Sequence, residues 1–220
     1  MRTVDVSLAV FTVRDGALEV LLVRGPKTTW SLAGRPVPPG RALLEVATET
    51  LAEQTGVTGV ALEQLYTFDR PGDSISVAYL ALIAAARHPL HPGEAEVEVR
   101  WFRVDDAPEL ADADRETLRY GHARLRAKTA YAPVAVQLMP DLFTLRELQT
   151  VYEAVLGTML DPRNFRRDVL SAGIVADAGT VRAAGPGRPA RLHRWVGGEF
   201  AVVAGERRAA RTIAGARRDG

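Results

Sequence analysis

The hydrophobic positions in the first 130 residues form short apolar runs interrupted by one helical repeat. The runs with the length and β-branched content of strands cover residues 4–13, 18–24, 60–68, 76–84 and 97–104. Between residues 42 and 55 the apolar positions recur every three or four residues, which predicts a helix ended by Gly56. A second helix is predicted over 113–128. This order of elements predicts an α/β or α+β sandwich over residues 1–130.

Glycine and proline mark the connections between these elements. Asp15-Gly16 lies between the first two apolar runs and predicts a tight hairpin. The segment 30–40 contains three prolines and two glycines, so it is expected to be a shaped loop. Further prolines in residues 131–142 predict a linker after the first unit.

The apolar pattern from residue 143 onward predicts a second, smaller unit. A strongly amphipathic helix is predicted over 143–157, with Thr144 and Glu147 spaced as a capping box. A shorter helix is predicted over 161–173, with Asp161 as its cap and Pro162 at its first position. The residues of this helix expected to face inward are Phe165, Val169 and Leu170. Two weak strands around a Gly/Pro turn follow in 174–195.

Helix, turn, short basic helix and β-hairpin is the element order of a winged helix-turn-helix. The sequence therefore predicts a winged helix over residues 143–200. The final segment, 201–220, is rich in Arg, Ala and Gly and is expected to be a basic, disordered tail.

Composition narrows the class of protein. The chain has 220 residues, a net charge of +1 and no cysteine, which excludes disulfides, thiolate metal sites and a cysteine nucleophile. Charge is unevenly distributed, because nine arginines and two glutamates lie between residues 181 and 218. No signal peptide is apparent, and the longest apolar run, 77–86, falls far short of the ~20 residues that span a bilayer. A cytoplasmic protein with no membrane partner is expected.

The short helix 161–173 carries the strongest candidate chemistry. Its exposed positions are Arg163, Asn164, Arg166 and Arg167, and the turn after it adds Arg188 and Arg191. Arginine binds guanine edges and phosphates, and asparagine binds adenine edges, so these residues are predicted to contact double-stranded DNA. Two other interpretations are a solvated surface helix and a site for an acidic protein partner.

Helix 42–55 presents a stripe of carboxylates. Glu45, Glu49 and Glu53 are spaced four residues apart and share one face. Such a stripe can hold Mg²⁺ if a substrate phosphate completes the coordination, but it is more often solvated surface. The sequence predicts no resident metal, no cofactor and no catalytic residue.

The first 130 residues resemble a Nudix domain, an α/β/α sandwich. Its signature contains a leading Gly, a Glu, and then Arg-Glu-apolar-x-Glu-Glu-x-Gly-apolar. The matching positions here are Leu51, Glu53, Gly56 and Val57. The departures are Arg35 for the leading Gly, Arg41 for the first Glu, Glu49 for the Arg, and Thr50 and Gln54 for two glutamates. Of the family's metal-binding glutamates only Glu53 is present, which implies that Nudix hydrolysis is lost or vestigial.

The charge exchange between Arg41 and Glu49 suggests a hypothesis of its own. The signature has Glu and Arg at these two positions, and here the charges have traded places. The two side chains are expected to form an ion pair that keeps the loop and the helix together without catalysis.

The second unit resembles the Nudix-related transcriptional regulators of the NrtR family. The likeness lies in Phe-Thr-x-x-Glu-Leu at 143–148, Asp-Pro-Arg-Asn-Phe at 161–165 and Gly-Arg-Pro-Ala at 187–190. The resemblance implies a homodimeric repressor of NAD metabolism that binds operator DNA and responds to ADP-ribose or a related nucleotide or sugar. Effector binding is then expected at Arg35, Arg41 and Glu53. The alternative is an active Nudix hydrolase of ADP-ribose or a related nucleoside diphosphate.

Overall fold

A computed structural model describes residues 2–25, 29–91, 98–183 and 189–197. The strands and helices are β1 Thr3–Arg14, β2 Ala17–Arg24, β3 Ala33–Pro36, α1 Leu43–Thr55, β4 Glu63–Arg70, β5 Ser74–Leu82, β6 Glu98–Arg103, α2 Asp112–Tyr131, α3 Leu145–Leu156, α4 Pro162–Ser171, β7 Val175–Arg182 and β8 Ala190–Trp195. Short 3-10 segments occupy Ala85–Arg87, Val104–Asp106 and Pro133–Leu138. The predicted tail 201–220 lies outside the described residues. Within the described ranges, no helix combines the length and apolar character needed to cross a lipid bilayer.

β1 is the central strand of a mixed sheet. The order is β4-β5-β1-β2-β6, and β3 pairs with β1 off this path. Alternate residues of β1 point to opposite faces, so Val6 and Leu8 pack under α1 whereas Ala9 and Phe11 pack under α2. Two helices on the two faces of one sheet form the predicted α/β/α sandwich.

Helix α2 packs unusually close to the sheet at Gly121. A Cβ atom at this position would lie 3.2 Å from the Cβ of Ala9 and 3.3 Å from Cε2 of Phe11. A side chain at this position would therefore make the neighbouring side chains shift by a few tenths of an ångström, and glycine allows the close approach without that shift.

Every predicted strand is present, with shifted bounds at one hairpin. β4 and β5 meet closer to the turn than predicted, because Arg70 pairs directly with Ser74. Gly72 and Asp73 both have positive φ and close this connection tightly. The Asp15-Gly16 hairpin is confirmed, with φ of 47° and 75°.

The expectation of a loop over residues 30–40 is wrong in part, because β3 lies within it. Val6 pairs with Arg35, and Leu8 pairs with Ala33, so the backbone is held by the N-terminal half of β1. A Cβ atom on Gly34 would lie 2.6 Å from the carbonyl oxygen of Val6. The glycine that suggested a loop is thus required by a close approach between two strands.

The second unit has the predicted winged-helix order. Thr144 caps α3, its hydroxyl accepts from the N–H of Glu147, and the Glu147 side chain accepts from the N–H of Thr144. β7 and β8 form the hairpin after α4, and Phe143 exchanges backbone hydrogen bonds with His193 on β8. This bridge ties the beginning of the unit to its hairpin.

The predicted linker is an ordered part of the core. Residues 133–138 form a 3-10 helix, and Ala135, Leu138 and Met139 are buried. They belong to one cluster that also contains Phe11 of the sheet and Leu148 of α3. The two halves of the chain therefore share a continuous hydrophobic core, and α3 packs against β1, β2 and α2.

Candidate functional sites

Helix α4 is held by one apolar edge, and its basic face is exposed. The carboxylate of Asp161 accepts from the N–H of Asn164 at 2.8 Å and caps the helix, and Pro162 occupies the first turn. Phe165 and Val169 are buried, and the Phe165 ring lies 5.5 Å from that of Tyr152. The predicted inward position of Leu170 is wrong, since this side chain is 44% exposed. The outward-facing residues are Arg163, Asn164, Arg166 and Arg167, as predicted.

The arginines of α4 differ in whether they form an ion pair within the protein. Arg167 pairs with Asp168 at 2.9 Å. Among the residues that the structure describes, Arg163 and Arg166 have no ion pair or hydrogen bond from their side chains. These two guanidinium groups therefore have all of their donors available to another molecule.

The hairpin adds arginines that are paired within the protein. Asp177 accepts from the N–H of Gly179 and from Arg191, the latter at 2.5 Å. The Gly179 bond is the larger cause, and the Arg191 bond the second, of a pKa of Asp177 that lies below its usual range. Arg182 donates to Glu147 at 2.6 Å and links β7 to the capping box of α3. Sequence reasoning missed Arg182, because its partner lies 35 residues away. Arg188 lies outside the described residues.

On the sheet face covered by α1, the carboxylate stripe of this helix is bound by arginine. Arg35 on β3 reaches Glu49 at 2.8 Å and Glu53 at 2.5 Å. Arg41 reaches the other oxygen of Glu49 at 2.6 Å and lies 3.7 Å from Glu45. The predicted pairing of Arg41 with Glu49 is confirmed. The hydrogen bond and charge of Glu49 raise the pKa of Arg41.

Two residues that replace signature glutamates form hydrogen bonds with backbone groups. Thr50 is fully buried, and its hydroxyl donates to the carbonyl of Val46 at 2.6 Å. The side-chain carbonyl of Gln54 accepts from the N–H of Gly34 at 3.1 Å, and its amide donates to the Gly34 carbonyl at 3.1 Å. Gln54 thus fixes β3 to α1, a contact between residues 20 positions apart.

The residues of this site do not fit a divalent metal. Magnesium in proteins prefers near-octahedral oxygen coordination at about 2.0–2.1 Å. Both oxygens of Glu49 are taken by guanidinium groups, and the carbonyl oxygen of Gln54 is taken by Gly34. Across residues 2–25, 29–91, 98–183 and 189–197, no group of three or more His, Asp or Glu is arranged to hold a metal ion.

Comparison with known proteins agrees with the two-part architecture. Residues 2–121 match the family model of the NUDIX domain, and residues 135–195 match that of the NrtR DNA-binding winged helix domain. The curated ADPR responsive transcriptional repressor NtrR of Acinetobacter baylyi is 34% identical over 208 residues, spanning 89% of this chain and 82% of that protein.

Solved structures show the same similarity. Shewanella oneidensis NrtR in complex with a 27mer DNA superimposes with a TM-score of 0.76 at 30% identity, covering 88% of this chain and 93% of that one. The NUDIX domain of the same protein in complex with ADP ribose matches with a TM-score of 0.51 at 27% identity, covering 57% of this chain and 89% of that one. The chain belongs to the NrtR family of Nudix-related transcriptional regulators.

Proposed function

We propose that this protein is a transcriptional repressor that binds operator DNA through α4 and senses an ADP-ribose-type nucleotide through its Nudix-like half, within NAD metabolism. The observation that carries the proposal is the exposed face of α4, where Arg163, Asn164 and Arg166 project from a capped helix. A short basic helix held by one apolar edge suits the major groove, where arginine pairs with guanine and asparagine with adenine. Both partners are supported by the relatives, which include an ADPR responsive repressor and NrtR structures in complex with DNA and with ADP ribose.

The operator-binding unit is a homodimer. One winged helix contacts only one half-site, and a two-fold pair of recognition helices spaced by one DNA turn reads a pseudo-palindrome. The shared core gives each sensor a route to its own recognition helix, because α3 packs against β1 and β2 on one side and against α4 on the other. An effector that binds unequally to two arrangements of these helices changes operator affinity.

The DNA proposal is tested with a double substitution, Arg163→Ala with Arg166→Ala, in a binding titration on the DNA upstream of the gene. Each lost base-reading contact costs about 1–3 kcal/mol, so the two together raise the operator Kd by about 30-fold or more. The matched control is Arg103→Ala with Arg115→Ala, which removes the same charge from exposed positions in the sensor half. Equal losses in both proteins indicate a nonspecific charge effect and contradict base reading by α4.

A protein adaptor with an acidic partner is the competing binding function. It is distinguished by exchanging bases within the operator while keeping length and composition. A regulator loses affinity for the altered duplex, whereas a nonspecific polyanion site does not.

The Nudix-like half does not hydrolyse nucleotides in this proposal. Hydrolysis by a Nudix enzyme needs metal held on the diphosphate, and here Thr50 is buried and Gln54 is hydrogen-bonded to backbone. The test is AMP release from ADP-ribose with Mg²⁺. Turnover that Glu53→Gln abolishes supports the alternative, a Nudix hydrolase, and overturns this part of the proposal.

A further inference from the structure

The carboxylates of α1 are already paired with arginine. Arg35 bridges Glu49 and Glu53, and Arg41 occupies the second oxygen of Glu49. A guanidinium placed between two carboxylates fixes their geometry, as a divalent cation does in a metal site, and it offsets one of their two negative charges. A metal ion that binds either oxygen of Glu49 competes with the arginine already paired with that oxygen.

We propose that Arg35 and Arg41 replace the divalent metal as the groups that bind the diphosphate of the effector, so that the Nudix-like half binds its ligand without metal. The inference rests on the proposed function, in which the effector is a nucleotide of the ADP-ribose type. Binding of a diphosphate by arginine in place of metal is a property that the Nudix signature does not have.

The charge balance of the cluster permits this exchange. Arg35 and Arg41 reduce the charge of Glu45, Glu49 and Glu53 from −3 to −1, whereas the three glutamates alone repel an anion more strongly. Glu53 is the group that a diphosphate displaces, since its side chain is 62% exposed and returns to water when released. Breaking the exposed ion pair with Glu53 costs little stability. The guanidinium can then bind two phosphate oxygens at once.

Arg35 also has donor capacity that the protein does not use. Its Nε is buried and has no hydrogen-bond partner in the part of the chain that the structure describes. Buried donors without a partner are rare in folded proteins. Because this nitrogen is buried, an anion can accept from it only when the guanidinium turns away from Glu49 and Glu53.

The position of Arg35 is fixed before any ligand binds. Arg35 follows Gly34, whose N–H and carbonyl are both hydrogen-bonded to Gln54 of α1. Arg35 itself pairs in register with Val6 of β1. The guanidinium therefore extends from a strand that is held on two sides, and little conformational freedom is lost on binding.

The experiment is calorimetric titration of ADP-ribose into the full-length protein, once with excess EDTA and once with excess Mg²⁺. We expect the same affinity in both buffers. Arg35→Gln and, separately, Arg41→Gln are expected to weaken binding by about tenfold or more, as expected for loss of a charge-assisted contact. Arg103→Gln, an exposed arginine at the end of β6, is the matched control and keeps wild-type affinity. Thermal unfolding of each variant establishes that it is folded.

Each outcome decides the inference. Binding that appears only with Mg²⁺, or binding in EDTA that neither substitution weakens, overturns it and leaves the operator-binding proposal intact. If ADP-ribose does not bind in either buffer, that choice of effector fails, and inorganic pyrophosphate in EDTA becomes the probe. Pyrophosphate binding that Arg35→Gln removes supports the arginine site, and absence of pyrophosphate binding overturns it.

Discussion

Gln54→Glu restores one glutamate of the Nudix signature, and we expect it to destabilise the protein. The Gln54 side chain both accepts from the N–H of Gly34 and donates to the carbonyl of Gly34. A carboxylate at this position still accepts but cannot donate. It also brings a negative charge close to the carbonyl oxygen that formerly received a hydrogen bond.

The size of the effect follows from these two contacts. Loss of one hydrogen bond costs about 0.5–1.5 kcal/mol, and leaving a buried acceptor without a donor costs about 1–3 kcal/mol. Gln54 is only partly buried, so the expected loss is about 1–2 kcal/mol in the free energy of unfolding. With a urea m-value near the upper end of about 1–3 kcal/mol/M, the midpoint falls by about 0.5 M.

The loss should depend on pH in a defined direction. The folded environment disfavours the ionised form of the new carboxyl group, so its folded pKa lies above the unfolded value of about 4.3. The variant then approaches wild-type stability below the unfolded pKa, where the protonated group donates to Gly34 again. The difference grows as the pH rises through the folded pKa and is complete at neutral pH.

Urea unfolding of wild type and variant at about pH 4 and about pH 7 measures both quantities. Gln64→Glu is the matched control, because Gln64 is exposed on β4 and the same chemical change there should have little effect at either pH. A variant as stable as wild type at neutral pH, or a loss that does not shrink in acid, would refute the role assigned to the Gly34 contact.

Three further predictions concern single side chains. Thr50→Glu places a carboxylate at a fully buried position and should cost about 3 kcal/mol or more in urea unfolding, whereas Thr50→Val should cost far less. Asp161→Ala removes the cap of α4 and should cost about 1 kcal/mol and weaken operator binding, while Asp161→Asn retains most of both. Asp177→Asn removes a carboxylate whose pKa is lowered mainly by the N–H of Gly179. The ionised carboxylate stabilises the wild-type protein above the unfolded pKa of about 3.9, and this stabilisation is lost as the pH falls through the lower folded pKa. The variant lacks this group, so its stability should fall less steeply in acid. The same change frees Arg191, and a steeper salt dependence of DNA binding is the expected readout.

The sequence alone determined the elements whose signals are local. The capping box of Thr144 and Glu147 was readable because its partners are one helical turn apart. The Asp15-Gly16 hairpin was readable because only a few residue types adopt positive φ easily. The exposed basic face of α4 followed from the spacing of Phe165 and Val169. The Arg41–Glu49 pair was accessible because the charges are exchanged relative to a known signature.

Only the tertiary structure decided the contacts between distant segments. β3 forms because β1 supplies partners for a Gly/Pro-rich stretch, and no local signal reports that pairing. Arg35 was identified as a candidate, but its bridge between Glu49 and Glu53 depends on the distance between β3 and α1. The prolines of residues 131–142 predict a linker, yet the structure buries Leu138 and Met139 in a core common to both halves. Such hydrogen bonds and burial depend on which distant segments lie next to each other. The neighbours of each segment are determined only by the folded arrangement of the sheet and its helices.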